Sequence, residues 1–175
     1  VISPTQDIEF QPTSFQRRGL GFKTIYRQRW DEAILDANIY GARLETFKEK
    51  RQNVGAIDVS FSSNIGSGWR LSSLLQRASQ DTFLRRYRYN SNETLTSSVT
   101  ATKITNNRFY QATMSDLQGL RETDTPDKEP TILPSIFYAK TTKGPLRDQI
   151  VRQELSALHL DNDEGYDVVR WTALL

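Results

Sequence analysis

Strand length constrains this chain more than any other feature. Stretches with alternating faces run over 20–30, 33–45, 54–63, 69–78, 93–104, 108–119, 131–141 and 149–160. Most span about ten to twelve residues, roughly twice the usual soluble strand of about 5–6. A proline-bearing stretch at 5–15 and a terminal one ending Trp171-Thr172-Ala173-Leu174-Leu175 complete the pattern. A strand that crosses a bilayer at a tilt needs about 9–11 residues, and no window of comparable length shows the apolar period of an amphipathic helix. The expected fold class is all-β: an antiparallel up-and-down transmembrane β-barrel, of which the chain supplies about ten strands of a larger barrel.

Composition agrees with a wet interior. Hydrophobic residues make up 37% and charged residues 25%, with a mean hydropathy of −0.60, lean for a packed soluble core. A barrel with a polar lumen needs apolar residues at every second position only. In 93–104 one face is Thr94, Thr96, Ser98, Thr100 and Thr102, the other Leu95, Ser97, Val99 and Ala101. In 54–63, Ile57, Val59 and Phe61 oppose Asp58, Ser60 and Ser62. In 33–45, Leu35, Ala37, Ile39 and Gly41 oppose Asp36, Asn38 and Tyr40; in 69–78, Trp69, Leu71 and Leu75 oppose Arg70, Ser72 and Gln76. A soluble sandwich also alternates, but apolar faces that carry Ala, Gly and Ser suit lipid, which fills space that a sandwich core must fill with large side chains. Trp30, Trp69 and Phe109-Tyr110 fall at strand ends, as an interfacial aromatic girdle requires; Trp171 does not.

Turn chemistry separates the strands into consecutive hairpins: Gln16-Arg17-Arg18-Gly19, Trp30-Asp31-Glu32, Asn64-Ile65-Gly66-Ser67-Gly68, Thr105-Asn106-Asn107-Arg108 and Lys143-Gly144-Pro145. Longer, charged connections are expected at Thr46–Asn53, Ser79–Asn92 and Leu120–Pro130. No composition shift marks a second domain. The chain opens on Val1 and stops in what reads as mid-strand, so it is expected to be a piece of something larger, residues 1–175 forming the N-terminal part of an outer-membrane barrel domain.

Several function classes drop out. The net charge of +2 argues for no nucleic-acid partner, and the absence of cysteine excludes disulfides and thiolate metal sites from these residues. No apolar run reaches a helical span. His159 with Asp161 and Asp163 sketches a hydrolase triad on paper, but no Gly-x-Ser-x-Gly elbow accompanies it. Asp161-Asn162-Asp163-Glu164-Gly165 lacks the spacing and distal glutamate of a calcium loop and reads as a turn. No catalytic, cofactor or metal site is expected, and no nucleotide motif is present.

Two features remain. Gln80-Asp81-Thr82-Phe83-Leu84-Arg85-Arg86-Tyr87-Arg88-Tyr89 interleaves arginines with aromatics, and Arg85, Arg86 and Arg88 are candidate contacts for phosphate or a lipid headgroup, since guanidinium forks match phosphates bidentately. The alternative is a surface loop whose arginines pair with Asp81, Glu93 or neighbouring loops. Pro12, inside strand 5–15, removes a ladder donor, and such prolines are confined to edges or weakened pairings. It marks a loosened seam, whereas Pro4 belongs to the preceding turn.

The opening Ile2-Ser3-Pro4-Thr5-Gln6-Asp7-Ile8-Glu9-Phe10-Gln11-Pro12-Thr13-Ser14-Phe15-Gln16-Arg17-Arg18-Gly19 resembles the start of the barrel in the lipopolysaccharide-assembly family LptD, also called organic solvent tolerance protein. The likeness continues in order through Trp69, Asp81-Thr82-Phe83-Leu84-Arg85-Arg86-Tyr87, Leu95-Thr96-Ser97, Phe109-Tyr110-Gln111-Ala112, Leu117-Gln118-Gly119-Leu120-Arg121 and Pro130-Thr131-Ile132-Leu133-Pro134, and looks like the alphaproteobacterial form. The resemblance implies a translocon of the Gram-negative outer membrane, plugged by an LptE-like lipoprotein, receiving lipopolysaccharide from periplasmic bridge proteins and releasing it among outer-membrane lipids through a lateral gate. Pro12 matches a gate-strand proline in that family. The family's periplasmic domain, cysteines and last strands lie outside these residues. Two alternatives stay open: a passive outer-membrane porin or channel, and a soluble β-domain binding an anionic polymer through Arg85, Arg86 and Arg88.

Overall fold

The computed structural model describes residues 3–15, 19–45, 51–87, 89, 92–121, 131–144, 149–161 and 168–174. Among these residues ten strands form one antiparallel sheet in chain order, each paired with its sequence neighbours. They are β1 (Gln6–Ser14), β2 (Gly19–Arg29), β3 (Ala33–Glu45), β4 (Arg51–Asn64), β5 (Trp69–Ala78), β6 (Thr94–Ile104), β7 (Arg108–Gly119), β8 (Thr131–Lys143), β9 (Ile150–Asp161) and β10 (Val168–Leu174). One helical turn, α1 (Phe83–Arg86), interrupts the meander between β5 and β6. β3, β5 and β7 coincide with the ranges expected from alternation. β4 starts three residues earlier than expected, because Arg51, Gln52 and Asn53 continue the ladder opposite Glu45, Leu44 and Arg43.

The pairing register makes two continuous faces. Leu35, Ala37 and Ile39 stand level with Phe61, Val59 and Ile57, and that face runs on through Leu71 and Leu75 of β5, Val99 and Ala101 of β6, Met114 and Ala112 of β7 and Ile136 of β8. The opposite, polar face carries Asp36, Asn38, Asp58, Ser60, Ser62, Ser72, Ser98, Thr100 and Thr113 at matching rungs. Phe10 at 63% exposure and Leu20 at 68% lie on the apolar face, while no polar or charged side chain is buried among the described residues. An apolar surface of this extent is a liability in water and an ordinary wall against lipid.

The short turns carry the local chemistry their sequences require. Trp30 N–H reaches the Ala33 carbonyl at 2.8 Å, and Thr105 N–H the Arg108 carbonyl at 2.9 Å. In the 65–68 turn, Gly66 and Gly68 hold φ of 81° and 77° around Ser67 at 52°, a left-handed run that glycine takes without strain. β8 contains Pro134, and its pairing with both β7 and β9 shifts register around that residue. A bulge is where a central strand accommodates proline.

Trp69 opens β5 and Tyr110 is the third residue of β7, with ring centroids 6.2 Å apart; Tyr138 continues the row at 5.0 Å from Tyr110. Lys103 Nζ lies 5.6 Å from the centre of the Trp69 ring. All four share the apolar face at the end of the sheet that carries the short turns. Aromatic rings with a snorkelling lysine form the girdle expected at a membrane interface. Phe109 belongs to the other face, stacked edge-on to Phe137 at 5.8 Å.

Spin labels placed one at a time at Ile57, Val59 and Phe61 are expected to relax with dissolved oxygen, and labels at Asp58, Ser60 and Ser62 with a polar reagent. Six alike profiles, or three apolar sites shielded from both reagents, would reject a lipid-facing wall.

Candidate functional site

β1 forms one edge of the sheet, and the direction of its backbone groups follows from two hydrogen bonds at its ends. Phe15 N–H donates to the Gly19 carbonyl at 2.9 Å, and Arg29 N–H to the Thr5 carbonyl at 2.8 Å. Bonded pairs recur at every second residue of an antiparallel ladder, so odd-numbered residues of β1 face β2 and even-numbered ones face outward. Gln6 obeys this rule, since its N–H is taken at 3.2 Å by Ser3, outside the β1–β2 pair. Pro12, opposite Phe22, is at an outward position. The donor it lacks is therefore missing from the outer edge, and the β1–β2 ladder runs unbroken from Gln6 to Ser14. Pro4 lies in an exposed turn.

Beside Pro12 the apolar face holds a shallow groove of about 730 Å³, lined by Phe10, Pro12, Leu20, Phe22, Gly41 and Arg43 among others. The Phe22 ring occupies the space that a side chain at Gly41 would need, as a Cβ there would lie 2.5 Å from it.

At the opposite end from the girdle, the polar face changes character. Tyr40 and Ala42 of β3 and Val54 and Ala56 of β4 replace the acids and serines, and all four are buried under α1 and its flanks. Phe83 is 1% exposed and Leu84 3%. The loop's aromatics interlock with the sheet: Phe15 with Tyr87 at 4.4 Å, Tyr40 with Tyr89 at 4.8 Å, and Phe83 with Tyr87 and Tyr89 at 5.5 and 5.7 Å. Phe15 in turn lies against Gly21, where a Cβ would meet its ring at 2.6 Å. Burial pushes the Tyr89 hydroxyl above its ordinary pKa, so it stays neutral.

The root of this loop is held open. β5 and β6 pair only from Trp69↔Lys103 to Leu74↔Ser98. Beyond that rung, side chains replace the ladder. Gln76 N–H donates to Ser97 Oγ at 3.1 Å and Thr96 N–H to Gln76 Oε1 at 3.2 Å. Gln118 reaches over from β7, giving its Nε2–H to the Ala78 carbonyl at 2.8 Å and taking the Ala78 N–H at 2.9 Å. Arg77 and Asp116 close the same gap as an ion pair.

The arginine and aromatic segment thus divides its roles. Its aromatics turn inward, while Arg85 stays exposed on α1; the side chain of Arg86 and all of Arg88 lie outside the described residues. Glu93, one of the partners considered for those arginines, pairs with Arg121. His159 sits within β9 opposite Val169, and among the described residues no group of acids and histidine is placed to hold a metal. The inward loop was not foreseen from the sequence. The signal that points to it is the run Tyr40, Ala42, Val54 and Ala56, apolar residues on a face otherwise polar.

A meander of long strands with a lipid-type outer face suits many outer-membrane proteins, and comparison with known families decides among them. The family model for LPS transport system D, LptD, matches residues 52–173. The chain belongs to the LptD family. No curated protein matches the chain. LptD-family proteins are outer-membrane β-barrels of Gram-negative bacteria that take part in lipopolysaccharide transport and assembly, so the apolar face described above is a lipid-facing wall and the polar face lines a lumen. Lipopolysaccharide and the other members of the transport system are the partners this membership implies.

Proposed function

We propose that residues 1–175 form the N-terminal part of the barrel domain of a lipopolysaccharide translocon, and that the outer edge of β1 is one lip of a lateral gate. The observation that carries this reading is the outward position of Pro12: a strand meeting β1 there finds no donor at that rung. The groove beside Pro12 offers apolar surface to acyl chains leaving sideways, with Arg43 among its lining residues. Long connections, 79–93 and 120–130, leave from one end of the sheet, and short turns, 30–32, 65–68 and 105–107, from the other. Outer-membrane barrels keep short turns in the periplasm and long loops outside; this supports reading Arg85, exposed on α1, with Arg86 and Arg88 beside it in the sequence, as contacts for emerging phosphorylated headgroups. An LptE-like lipoprotein would fill the rest of the lumen, and periplasmic bridge proteins would deliver the lipid. No step here needs catalysis, and the driving energy comes from outside this chain.

Pro12→Val restores an outward donor, and a neutral hydrogen bond contributes about 0.5–1.5 kcal/mol when its partner is present. In the full-length protein the gate should then part less often, with slower lipopolysaccharide delivery, greater sensitivity to hydrophobic antibiotics and normal barrel levels. Pro4→Val, in the turn, should do much less. Equal, wild-type surface lipopolysaccharide in the two variants would remove Pro12 from the mechanism, as would a loss explained entirely by misfolded barrel.

A further inference from the structure

The inward loop is more than a covered patch. Phe83 N–H bonds to the Gln80 carbonyl at 3.2 Å, Tyr87 N–H to Phe83 at 3.2 Å and Tyr89 N–H to Leu84 at 2.9 Å, so the segment is a compact unit with its own internal hydrogen bonds. It rests on the lumen face of β3 and β4, and its ring contact with Phe15 ties it to the residue that follows β1. The opened rungs between β5 and β6, bridged by Gln76, Ser97 and Gln118, give the chain room to turn inward at its root. We propose that residues 80–87 together with Tyr89 are a built-in plug that closes the lumen sector behind β1 to β4, and that Phe15 latches this plug to the first hairpin, so that the plug loses its outer anchor when that hairpin moves.

The physical reasoning is one of shared contacts. Phe15 makes two fits at once, its ring against Gly21 on its own hairpin and against Tyr87 on the plug. A displacement of the first hairpin cannot leave both in place, because packed rings lose their contacts over fractions of an ångström to an ångström. The plug then keeps its hold on Tyr40, Ala42, Val54 and Ala56 but loses its outer anchor. The function added is a permeability seal: small solutes are held back while the seam is closed. The coupling to transport rests on the gate reading above; the seal itself does not.

The test separates the two. In the full-length protein, Tyr87→Ala and Phe15→Ala are each compared with wild type for ion conductance in a planar bilayer that contains no lipopolysaccharide, with heat-modifiable mobility on gels as the folding control. A several-fold rise in conductance by barrels that fold normally is expected; unchanged conductance in folded barrels of both variants overturns the plug. The second arm bridges Phe15→Cys and Tyr87→Cys in one protein with a short bifunctional thiol reagent, against each single variant treated alike. Bridged protein should keep the low wild-type conductance and lose lipopolysaccharide delivery, whereas wild-type delivery by bridged protein overturns the latch. Should Pro12→Val leave delivery untouched while the Tyr87→Ala barrel leaks, the gate reading has failed and the seal has not.

Discussion

Arginine in place of Val59 should cost the folded barrel about 2–4 kcal/mol, the range for a guanidinium on a lipid-facing strand near the bilayer midplane. Val59 is well inside β4, level with Ala37 on one side and Leu75 on the other. The neighbouring Ser60→Arg is the matched control. It introduces the same side chain one residue away, on the polar face, opposite Asp36, where water and a carboxylate both receive it. Urea titration of folding into lipid vesicles should show a large loss for Val59→Arg and little for Ser60→Arg. Equal losses would mean that the two faces meet the same solvent, and the transmembrane reading would not survive that result.

Gln118→Leu should produce the second large effect. The amide of Gln118 satisfies both backbone groups of Ala78, a residue that lies past the last β5–β6 rung and has no partner on β6. Leucine fills similar volume and strands both groups, at about 1–3 kcal/mol for each one that water cannot reach. Gln118→Glu should fall between, since a carboxylate still accepts the Ala78 N–H and cannot donate to its carbonyl. Hydrogen exchange at Ala78 is the local readout. Its amide should lose protection in Gln118→Leu and retain it in Gln118→Glu, while amides of the regular β6–β7 ladder stay unchanged. Full protection in the leucine variant would show that strand pairing, not the glutamine, holds this corner.

Strand order and sidedness were readable from the sequence because a period of two survives in β3 to β6 and short turns leave few ways to connect neighbours. Ile57, Val59 and Phe61 name their face without any knowledge of what lies beside them. Three other features were hidden for one shared reason: each depends on residues far apart in the chain. Whether Pro12 weakens its pairing with β2 or the opposite edge is a matter of register, fixed only when Phe15 and Gly19 are seen to bond. The role of Gln118 needs Ala78, forty positions away. Phe83, Tyr87 and Tyr89 look like surface aromatics among arginines until Tyr40, Ala42, Val54 and Ala56 are seen to need a cover. The start of β4 is hidden for a simpler reason, as Arg51, Gln52 and Asn53 carry no apolar alternation and join the sheet through backbone pairing with β3.

The row of Trp69, Lys103, Tyr110 and Tyr138 has a mechanical consequence. Sliding any one of these strands along its neighbour by a rung would carry an indole, a phenol or an ammonium away from the level at which one end of it is wet and the other dry, so the row acts as a waterline that resists vertical slip. Parting strands sideways while the waterline stays put incurs no such penalty. A wall built this way is stiff against shear and compliant in hinging, with its pivot along the short-turn end, and the widest excursion falls at the far rim, where Phe15 meets Tyr87 of the inward loop.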